Sequence, residues 1–542
     1  MVITHKQGWR GLRYLLAFAL ILTLAAQPFT PIKTAHAADT VHHWKHYTNG
    51  VAYMNQGKIK LAIKEFELAV AQSEQAGYLR KLAECYTKDN QFQKAADTYY
   101  REAKIHKALG GKSGDLNTYY AVLAKADALN TNIELYLEKA GASIATNSNL
   151  AKFEPASGMY IGAYVEKDSG VEDKKDGKFN AFNTLAGKQH AVYFNYHKYG
   201  SAFPYHWAET VKKAGGAIQL ALQPDNGLSA VKDDVYLRKF AKDAKAAGVP
   251  IFLRFASEMN GSWVKWYGNP SLYIEKFRLV SKVMKEEAPN VAMVWSPAAN
   301  PKQKIASYYP GDDWVDWVGL SIYSVKYFNG NVKEPADQVN PLDSIDYVYK
   351  LYASRKPIMV SEFGATHFSK AGNTSTVNFA ITKMNMLYHG AKLKYPRVKS
   401  INWFSLNTLT DSYSAERSLN NFSLTESPAL LSSYSKMIND SYYLSKVVSG
   451  TSSYTKSVTK FANQGNIGKP ATGIVWVKTY DPYISKVVIK LDGAVVLTRQ
   501  QYPYTFSIQP DKLKAGSHKI EIVVFDSKNR VASRKSYTFK TT

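Results

Sequence analysis

From His42 to about Leu109, apolar residues recur at the spacing of an amphipathic helix, and the pattern repeats after 33 positions. Small and aromatic residues stand at matching places in the two copies. The matched pairs are Tyr53 with Tyr86, Gly57 with Asn90, Ile59 with Phe92, Ala62 with Ala95 and Phe66 with Tyr99. Small residues let helices approach and aromatic rings fill the groove between them, so this pattern predicts two helical hairpins.

The repeat resembles a pair of tetratricopeptide-type hairpins, whose period is 34 and whose consensus Trp and Pro are missing here. We expect a further helix around Tyr119 to Ala140 to cap the array, because a terminal repeat must cover its exposed face. Cys85, the one cysteine, falls inside a repeat helix and is interpreted as a small core residue. Repeats of this kind suggest a protein partner.

Residues 158 to about 440 alternate short apolar runs with amphipathic helical stretches, which is typical of parallel strands joined by helices. Eight such strands in this length favour a (β/α)8 barrel over a doubly wound sheet. The eight are Met159–Val165, Ala191–Asn195, Ala217–Leu222, Ile251–Phe255, Ala292–Trp295, Val315–Ile322, Ile358–Ser361 and Ile401–Phe404. Catalytic residues are then expected at the carboxyl ends of these strands.

After Ile467 the pattern changes to short alternating strands separated by turns, with Asp492-Gly493 as a hairpin signal. The strands are Gly473–Thr479, Lys486–Leu491, Tyr504–Ile508, His518–Phe525 and Ala532–Phe539. They resemble a small immunoglobulin-like β-sandwich without the cysteine pair of antibody domains. The Ser/Thr-rich segment from Ser449 to Thr459 is interpreted as a linker.

The N-terminal segment has basic residues, an apolar run from Leu15 to Ala26 and then Ala35-His36-Ala37, which predicts a secretory signal peptide. The run is too short for the roughly 20 residues that cross a bilayer. We therefore expect a secreted protein, extracellular or associated with the cell wall, without a membrane span. The predicted organisation is a signal peptide at 1–37, helical repeats at 38–145, the barrel at 150–445, a linker at 446–466 and the β-sandwich at 467–542.

The 542 residues carry a formal net charge of +25, with the lysines dispersed among acidic and aromatic residues. No helix-turn-helix, zinc-finger or RNP-like pattern is present, so nucleic acid is not expected as a partner. A secreted cation suits an anionic cell-wall polymer, and a merely solvated basic surface is the alternative.

Two glutamates follow apolar strands of the predicted barrel. Glu258 comes just after Ile251–Phe255, and Glu362 follows Ile358–Ser361. Both carboxyl groups would then lie over the barrel mouth, where such a pair suits glycoside hydrolysis: one protonates the leaving oxygen and the other attacks the anomeric carbon. The alternative is that each acid caps a helix or binds a loop amide.

The residues around these acids resemble glycoside hydrolase family 26, over roughly residues 158–440. The similar motifs are Arg254-x-x-x-Glu258-Met259-Asn260-Gly261-x-Trp263-x-x-Trp266, Val294-Trp295-Ser296-Pro297, Tyr309-Pro310-Gly311-Asp312-Asp313, Val318-Gly319-Leu320-Ser321-Ile322-Tyr323 and Ser361-Glu362-Phe363-Gly364. That family contains β-mannanases, β-1,3-1,4-glucanases and β-1,3-xylanases on a retaining (β/α)8 barrel.

The resemblance implies Glu258 as the general acid/base and Glu362 as the nucleophile. It implies further that Tyr323 hydrogen-bonds the nucleophile and that Trp403 is the aromatic floor next to the cleaved bond, where a ring stacks on the apolar face of a sugar. Arg254 would support the ionised nucleophile. Core packing is the alternative for Trp403 and Tyr323.

Further aromatic and polar side chains are expected along the sugar-binding groove, with the protein core as the alternative. These substrate-binding candidates are Asn260, Trp263, Trp266 and Trp295.

Ser257 stands where mannanases of the family carry His, so substrate contacts near the cleaved bond must differ. Asn195, His197 and Gln223 are candidates for compensating contacts, with a solvated loop as the alternative.

No cofactor and no metal is expected. His42, His43 and His46 include an i, i+4 pair, but no third ligand accompanies them.

The sequence therefore predicts a secreted retaining endo-β-glycanase acting on a β-linked polysaccharide: mannan-type, mixed-linkage glucan or an exopolysaccharide. The alternative is a non-catalytic cell-surface protein on the same fold, which binds polysaccharide and recruits other components through its helical repeats.

Overall fold

The computed structural model of the protein describes residues 41–110, 113–141, 150–171, 177–412 and 414–541. The predicted signal peptide at 1–37 lies outside the described residues. None of the helices in these ranges combines the length and the apolar character needed to cross a bilayer.

The N-terminal region consists of antiparallel helices. They are α1 (His43–Asn55), α2 (Ile59–Gln72), α3 (Ala76–Lys88), α4 (Phe92–Ala108) and α5 (Ser113–Leu129). The turn between α1 and α2 places Gly57 at φ 72°, and the matching turn between α3 and α4 places Asn90 at φ 61°. Glycine and asparagine are the residues that adopt this left-handed conformation most readily, so the 33-residue repeat is visible in the backbone. Cys85 is fully buried between these helices.

The expectation of a capping helix from Tyr119 to Ala140 is only half right. Helix α5 ends at Leu129, and strand β1 (Asn132–Lys139) follows it. Residues 133–137 are buried in this strand, with the β-branched and bulky residues that suit a sheet. The helical region therefore ends before residue 130, short of the predicted boundary at 145.

Eight parallel strands form a closed barrel, because the last strand pairs with the first. The strands are β2 (Met159–Tyr164), β3 (Val192–Lys198), β4 (Ala217–Gln223), β5 (Ile251–Phe255), β6 (Val291–Trp295), β7 (Trp317–Ser324), β8 (Ile358–Ala365) and β11 (Val398–Phe404). Most of their residues are buried, as expected for strands covered on both faces. The predicted barrel is confirmed.

Among the described residues, seven helices surround the barrel: α6 (Lys178–Ala186), α7 (Tyr205–Lys213), α8 (Val235–Ala246), α9 (Pro270–Glu287), α10 (Pro341–Tyr352), α11 (Val377–Lys394) and α12 (Pro428–Ile438). Three of them begin with a proline preceded by a capping side chain: Asn269, Asn340 and Ser427 accept from the backbone N–H two or three residues ahead. Between β6 and β7 the described loop has only short 3-10 turns in place of a helix.

Short strands complete the barrel rim. β9 (Phe368–Ser369) pairs with β10 (Thr374–Ser375) and with β12 (Asn420–Asn421), above the ends of β8 and β11. β13 (Tyr443–Leu444) adds to β2.

The C-terminal domain is a sandwich of two sheets. The strands that follow the barrel in the chain are β14 (Ser457–Lys460), β15 (Gly465–Asn466), β16 (Ala471–Lys478), β17 (Lys486–Leu491), β18 (Ala494–Arg499), β19 (Tyr504–Ile508), β20 (Gly516–Phe525) and β21 (Val531–Thr541). One sheet has the order β14-β1-β16-β19 and the other β15-β21-β20-β17-β18. The expected Asp492-Gly493 turn joins β17 and β18, with both residues at positive φ.

Strand β1, which precedes the barrel in the chain, lies between β14 and β16 inside this sandwich. Ile133 and Leu135 belong to the sandwich core. The predicted domain boundaries are therefore wrong here in two ways: the sandwich recruits residues 132–139, and the linker at 446–466 contains strands β14 and β15. Tyr454 in that linker is buried and donates to Glu138 over 2.8 Å.

The three regions contact one another through specific side chains. Lys394 of the barrel binds Glu134 of β1 over 3.0 Å, and Lys478 of the sandwich binds Asp343 over 2.8 Å. Phe92 of the helical region stacks on Tyr480, with ring centroids 4.0 Å apart. The sandwich therefore packs against both other regions.

Candidate active site at the mouth of the barrel

Glu362 lies in β8 immediately after a β-bulge. The register of β8 against β7 and against β11 shifts by one residue at Ser361–Glu362. A bulge places two residues opposite one and redirects the side chain that follows. Glu362 consequently points into the barrel mouth, where it is 4% exposed.

Both oxygens of the Glu362 carboxylate are held by fixed donors. Arg254 Nη1, on the fully buried Arg254 side chain of β5, donates to Oε1 over 2.6 Å. The Tyr323 hydroxyl, at the end of β7, donates to Oε2. The structure thus brings Arg254, Tyr323 and Glu362 together as predicted, and the carboxylate is kept in one orientation.

Gly364 makes room for this arrangement. A Cβ at that position would lie 2.9 Å from the Phe422 ring and 3.2 Å from the Tyr323 ring. The glycine of the Ser361-Glu362-Phe363-Gly364 motif therefore allows the phenol to reach the carboxylate.

Glu258 lies on the turn after β5, where Ala256 has φ 47° and Glu258 itself φ 61°. A left-handed conformation at two non-glycine residues is strained and needs support from its surroundings. The Glu258 backbone N–H provides part of that support by donating to the Ser296 carbonyl over 2.8 Å. This anchor positions the half-buried side chain at the mouth.

Trp263 approaches Glu258 from the loop that follows it. The indole Nε1 donates to Oε2 of Glu258 over 2.7 Å, while the ring is 49% exposed. A Cβ on Gly261 would lie 2.3 Å from that ring, so the glycine of the motif is required for the loop to fold back. Trp263 thus lies at the mouth, as predicted.

The two acids have unequal surroundings. Burial and the charge of Glu362 raise the pKa of Glu258, while hydrogen bonding to Trp263 and the charge of Arg254 oppose the rise. The Ser321 hydroxyl accepts from Arg254 Nη2 over 3.4 Å, next to the bond between Arg254 and Glu362. One carboxyl group is therefore biased towards its protonated form beside another that is bound by a guanidinium.

Tyr196, on β3, is a site residue that the sequence analysis missed. Burial raises the pKa of Tyr196 well above its usual value, and the charge of Glu362 adds to the rise, so the phenol keeps its proton. The predicted strand ended at Asn195, whereas β3 continues to Lys198. A predicted strand that continued to Lys198 would have placed Tyr196 on the inner face, because side chains alternate between the two faces of a strand.

Aromatic rings line the mouth around the acids. Phe404 packs edge-on against Tyr323 at 5.5 Å and stacks on Tyr164 at 5.2 Å between ring centroids. Phe194 and Phe422 belong to the same cluster. These rings provide the apolar surface that a sugar ring would contact.

The prediction that Trp403 forms the floor of the site is wrong. Its side chain is fully buried on the helix side of β11, against Phe363 and Tyr434, and Nε1 donates to the Phe422 carbonyl over 2.9 Å. Successive strand residues point to opposite faces, so Phe404 faces the mouth instead.

Three other groove candidates also belong to the framework. Trp295 is fully buried against Tyr309 and Tyr352, and its assignment to the groove is wrong. Trp266 is 4% exposed and donates to the Ser257 carbonyl over 2.8 Å. Asn260 is fully buried and bonds both the N–H and the carbonyl of Ala298 over 2.9 Å. Trp266 and Asn260 therefore hold the Glu258 loop in place and do not face a substrate.

Asn195 and His197 lie off the cleft. They alternate with Tyr196 along β3 and so point to the helix side, where His197 packs near Phe240. Gln223 ends β4 and shares its inner face with Gln219, whose amide donates to the Ser361 carbonyl over 3.0 Å, so Gln223 stays a candidate for contacts at the mouth. Ser257 is 5% exposed, beneath the Glu258 loop.

The N-terminal histidines bind protein groups. His43 Nδ1 contacts the Tyr78 hydroxyl at 3.0 Å and His46 Nδ1 contacts Glu65 at 2.7 Å. Within the described ranges no three His, Cys, Asp or Glu side chains converge as metal ligands do.

Two stretches of the chain match models of known families. Residues 221–352 match the model of Glycosyl hydrolase family 26, a stretch that includes Glu258, and residues 455–522 match that of a Bacterial Ig domain.

Individual relatives match parts of the chain. Endoglucanase H of Acetivibrio thermocellus is 26% identical over 305 residues, which are 52% of this chain and 30% of that protein. A Beta-1,3-xylanase of Alcaligenes sp is 28% identical over 130 residues, 23% of this chain and 25% of that protein. The chain thus spans less than a third of either relative. A solved Cellulomonas fimi endo-beta-1,4-mannanase double mutant is 16% identical, with a TM-score of 0.39 over 74% of this chain and 98% of that one.

Proposed function

Since residues 221–352 of the barrel match the model of Glycosyl hydrolase family 26, we propose that the protein is a secreted endo-β-glycanase that cleaves a β-linked polysaccharide with retention of configuration. The observation that carries the proposal is the inequality of the two acids at the mouth. Glu362 is held as a carboxylate acceptor by Arg254 and Tyr323, and the pKa of Glu258 is raised. Double displacement needs this pairing of a nucleophile with an acid.

In the first step, an oxygen of Glu362 attacks the anomeric carbon, and the bond from that carbon to the glycosidic oxygen breaks. Glu258 gives its proton to the departing oxygen, which leaves as the hydroxyl of the released chain. Arg254 and Tyr323 hold the attacking carboxylate in one orientation. A glycosyl ester of Glu362 and an ionised Glu258 result.

In the second step, Glu258 accepts a proton from a water molecule, whose oxygen attacks the anomeric carbon. The ester bond breaks, Glu362 is released as a carboxylate and Glu258 is protonated again. Burial and the charge of Glu362 raise the pKa of Glu258, and this charge interaction between the two carboxyl groups supports the two acids acting on one sugar residue.

Substrate choice is proposed from the mouth and the relatives together. The relatives are named as an endoglucanase and a β-1,3-xylanase. The mouth is lined by Tyr and Phe rings, and the Arg254 guanidinium beside the acids is fully buried and paired with Glu362. We infer an uncharged β-linked glycan, with β-1,3-xylan and mixed-linkage β-glucan tested before mannan because Ser257 occupies the position of the mannanase His.

The test is hydrolysis of a panel of purified polysaccharides by the full chain and by Glu362→Gln. We expect release of oligosaccharides from at least one polymer by the wild type only, and proton NMR of the first product should show the β-anomer. An initial α-anomer would disprove retention. Specific binding of a polymer without hydrolysis of any would instead favour the non-catalytic scaffold.

Export is part of the proposal and rests on the apolar segment Leu15–Ala26 with the Ala35-His36-Ala37 site. Expression with the segment in a secreting host, followed by N-terminal sequencing of the protein in the medium, tests it. Retention of the chain inside the cell with residues 1–37 attached would contradict it.

A further inference from the structure

Two adjoining cavities lie on the barrel rim, beside the mouth that holds the two acids. The first measures about 610 Å³ and is bordered by the loop after β7, the start of α11 and Tyr483 of the Ig-like domain. The second measures about 570 Å³ and is bordered by the segment after β8 and the start of α12. Ser375 and Val377 line both cavities, so the two adjoin; together they are called the rim groove.

The rim groove begins close to the acids. Tyr327, which lines it, follows Tyr323 by four residues, and that length of chain reaches at most about 14 Å. On its other side the groove is bordered by Asn421, whose neighbour Phe422 packs on the Tyr323 ring at 5.5 Å. A polymer lying across the mouth would therefore meet the groove within a few sugar units of the cleaved bond.

The lining of the groove has the composition of a sugar site. Tyr327 and Tyr483 are half-buried aromatic residues, and the hydroxyl and amide groups of Thr374, Ser375 and Asn378 stand beside them. Aromatic surfaces bind the apolar face of a pyranose while such polar groups bind its hydroxyls. Both cavity volumes lie in the usual range of roughly 300–1,000 Å³ for ligand sites.

The charges of the groove favour a neutral ligand although the chain as a whole is strongly basic. Lys326 is paired with Asp337 at 2.5 Å, and the Tyr483 hydroxyl donates to the same carboxylate. Burial lowers the pKa of His367, so its ring is uncharged near neutrality. Glu426 remains as an acceptor, fixed by the amide of Asn421 at 2.7 Å. No unpaired cation is left among the described lining residues to attract a polyanion.

We propose that the rim groove is an accessory binding site for an uncharged stretch of the polysaccharide substrate, and that the Ig-like domain forms part of it through Tyr483. The inference rests on the proposed function of the barrel. It gives the Ig-like domain a role in holding substrate: the domain is attached so that its Tyr483 hydroxyl reaches Asp337 on the barrel rim.

The test compares a long and a short substrate. Tyr327→Ala and Asn378→Ala are made in the full chain, with Phe328→Ala as the matched control, since Phe328 is the next residue, is 42% exposed and does not line the groove. For the polysaccharide, we expect KM to rise about 3- to 10-fold with kcat unchanged in the groove variants, as the loss of one aromatic or polar sugar contact implies. KM for a short aryl oligosaccharide, and both constants of Phe328→Ala, should not change. Asn378 is exposed, so its variant keeps the test valid if Tyr327→Ala unfolds.

An unchanged KM for the polymer in both groove variants would overturn the proposal, and so would an equal rise for the short substrate. Affinity electrophoresis in gels containing xylan, mixed-linkage glucan or mannan tests the groove independently of catalysis. If no polymer is hydrolysed, the proposed function fails, yet retardation of the wild type that is lost in Tyr327→Ala would still support the groove. Retardation by polyglucuronate alone, or by no polymer, would overturn it.

Discussion

Trp263 donates its indole hydrogen to Oε2 of Glu258 over 2.7 Å, from five residues further along the same loop. The bond closes the loop over the acid and stabilises the ionised form of the carboxylate, against the burial and the Glu362 charge that favour the protonated form. Glu258 is thus set between two opposing influences, which suits a group that must give up a proton and take one back.

Replacing Trp263, which donates to Glu258, should move the alkaline limb of the pH–activity profile to higher pH. In Trp263→Phe the pKa of Glu258 is expected to rise, because one stabilising contact of the charged form is lost. A group that must be protonated for the first step then stays active to higher pH. The measurement is the pH profile of kcat/KM for wild type and variant. A shift of the limb to lower pH would contradict this role.

Glu258→Ala should slow cleavage according to the leaving group. For a polysaccharide, whose leaving alkoxide needs a proton, we expect a loss of about 100- to 10,000-fold in kcat/KM. An activated aryl glycoside leaves without assistance, so the first step should be nearly normal and the second slow. Stopped-flow release of the aryl group should show a burst, which added azide shortens. Equal losses on both substrates would exclude Glu258 as the acid.

Phe404 and Trp403 should respond oppositely to truncation. Trp403 is fully buried, and Trp403→Ala is expected to reduce the free energy of unfolding by about 3–5 kcal/mol. Phe404 borders the mouth, so Phe404→Ala should impair kcat/KM more than stability. Urea unfolding and steady-state kinetics on both variants separate the two effects. A stable but inactive Trp403→Ala would instead support Trp403 as the aromatic floor of the sugar site.

Strand β1 should be needed for the Ig-like domain. Leu135 is fully buried in the sandwich core, and Leu135→Ala should cost about 2–5 kcal/mol, seen as a lower unfolding midpoint of the C-terminal domain. Lys139→Ala, at the end of the same strand, is the matched control.

The isolated segment 455–542 lacks this strand and should not fold by circular dichroism. Fusion of residues 131–140 through a flexible linker should restore the β-sheet signal. A stably folded 455–542 fragment would show that β1 is dispensable.

His190 should make stability depend on pH. Burial lowers its pKa to about 3, while in the unfolded chain it titrates near its usual 6.5. Between these values the unfolded state binds the extra proton, so stability falls as pH drops below about 6.5, by about 1.4 kcal/mol per pH unit.

His190→Gln removes the imidazole that binds this proton. The slope of the free energy of unfolding against pH should therefore fall between pH 6.5 and 4 in urea unfolding, although the contact with the Tyr434 hydroxyl at 2.8 Å is weakened. The exposed His206→Gln is the control and should keep the slope. An unchanged slope in His190→Gln would show that other groups cause the acid instability.

Much of the site could be predicted because its acids follow strands. Glu258 and Glu362 each end an apolar run, and parallel strands of a barrel bring their carboxyl ends to one mouth. Arg254 lies in the strand that leads into the Glu258 turn, which places its side chain close to the same mouth. The sequence did not predict which face of its strand each aromatic side chain occupies. Trp403 and Phe404 are adjacent and point to opposite faces of β11. The bulge at Ser361–Glu362 in the neighbouring strand shifts the pairing of the two strands by one residue.

Local periodicity in the sequence was enough to establish the order of helices, barrel strands and β-sandwich, because each element's apolar spacing reflects its own geometry. The tertiary structure alone decided three things: that residues 132–139 join a sandwich more than 300 residues further along the chain, that Phe404 and Tyr196 face the acids, and that Trp295 and Trp403 do not. Each depends on contacts between residues far apart in the chain, and these carry no signal in the spacing of neighbours.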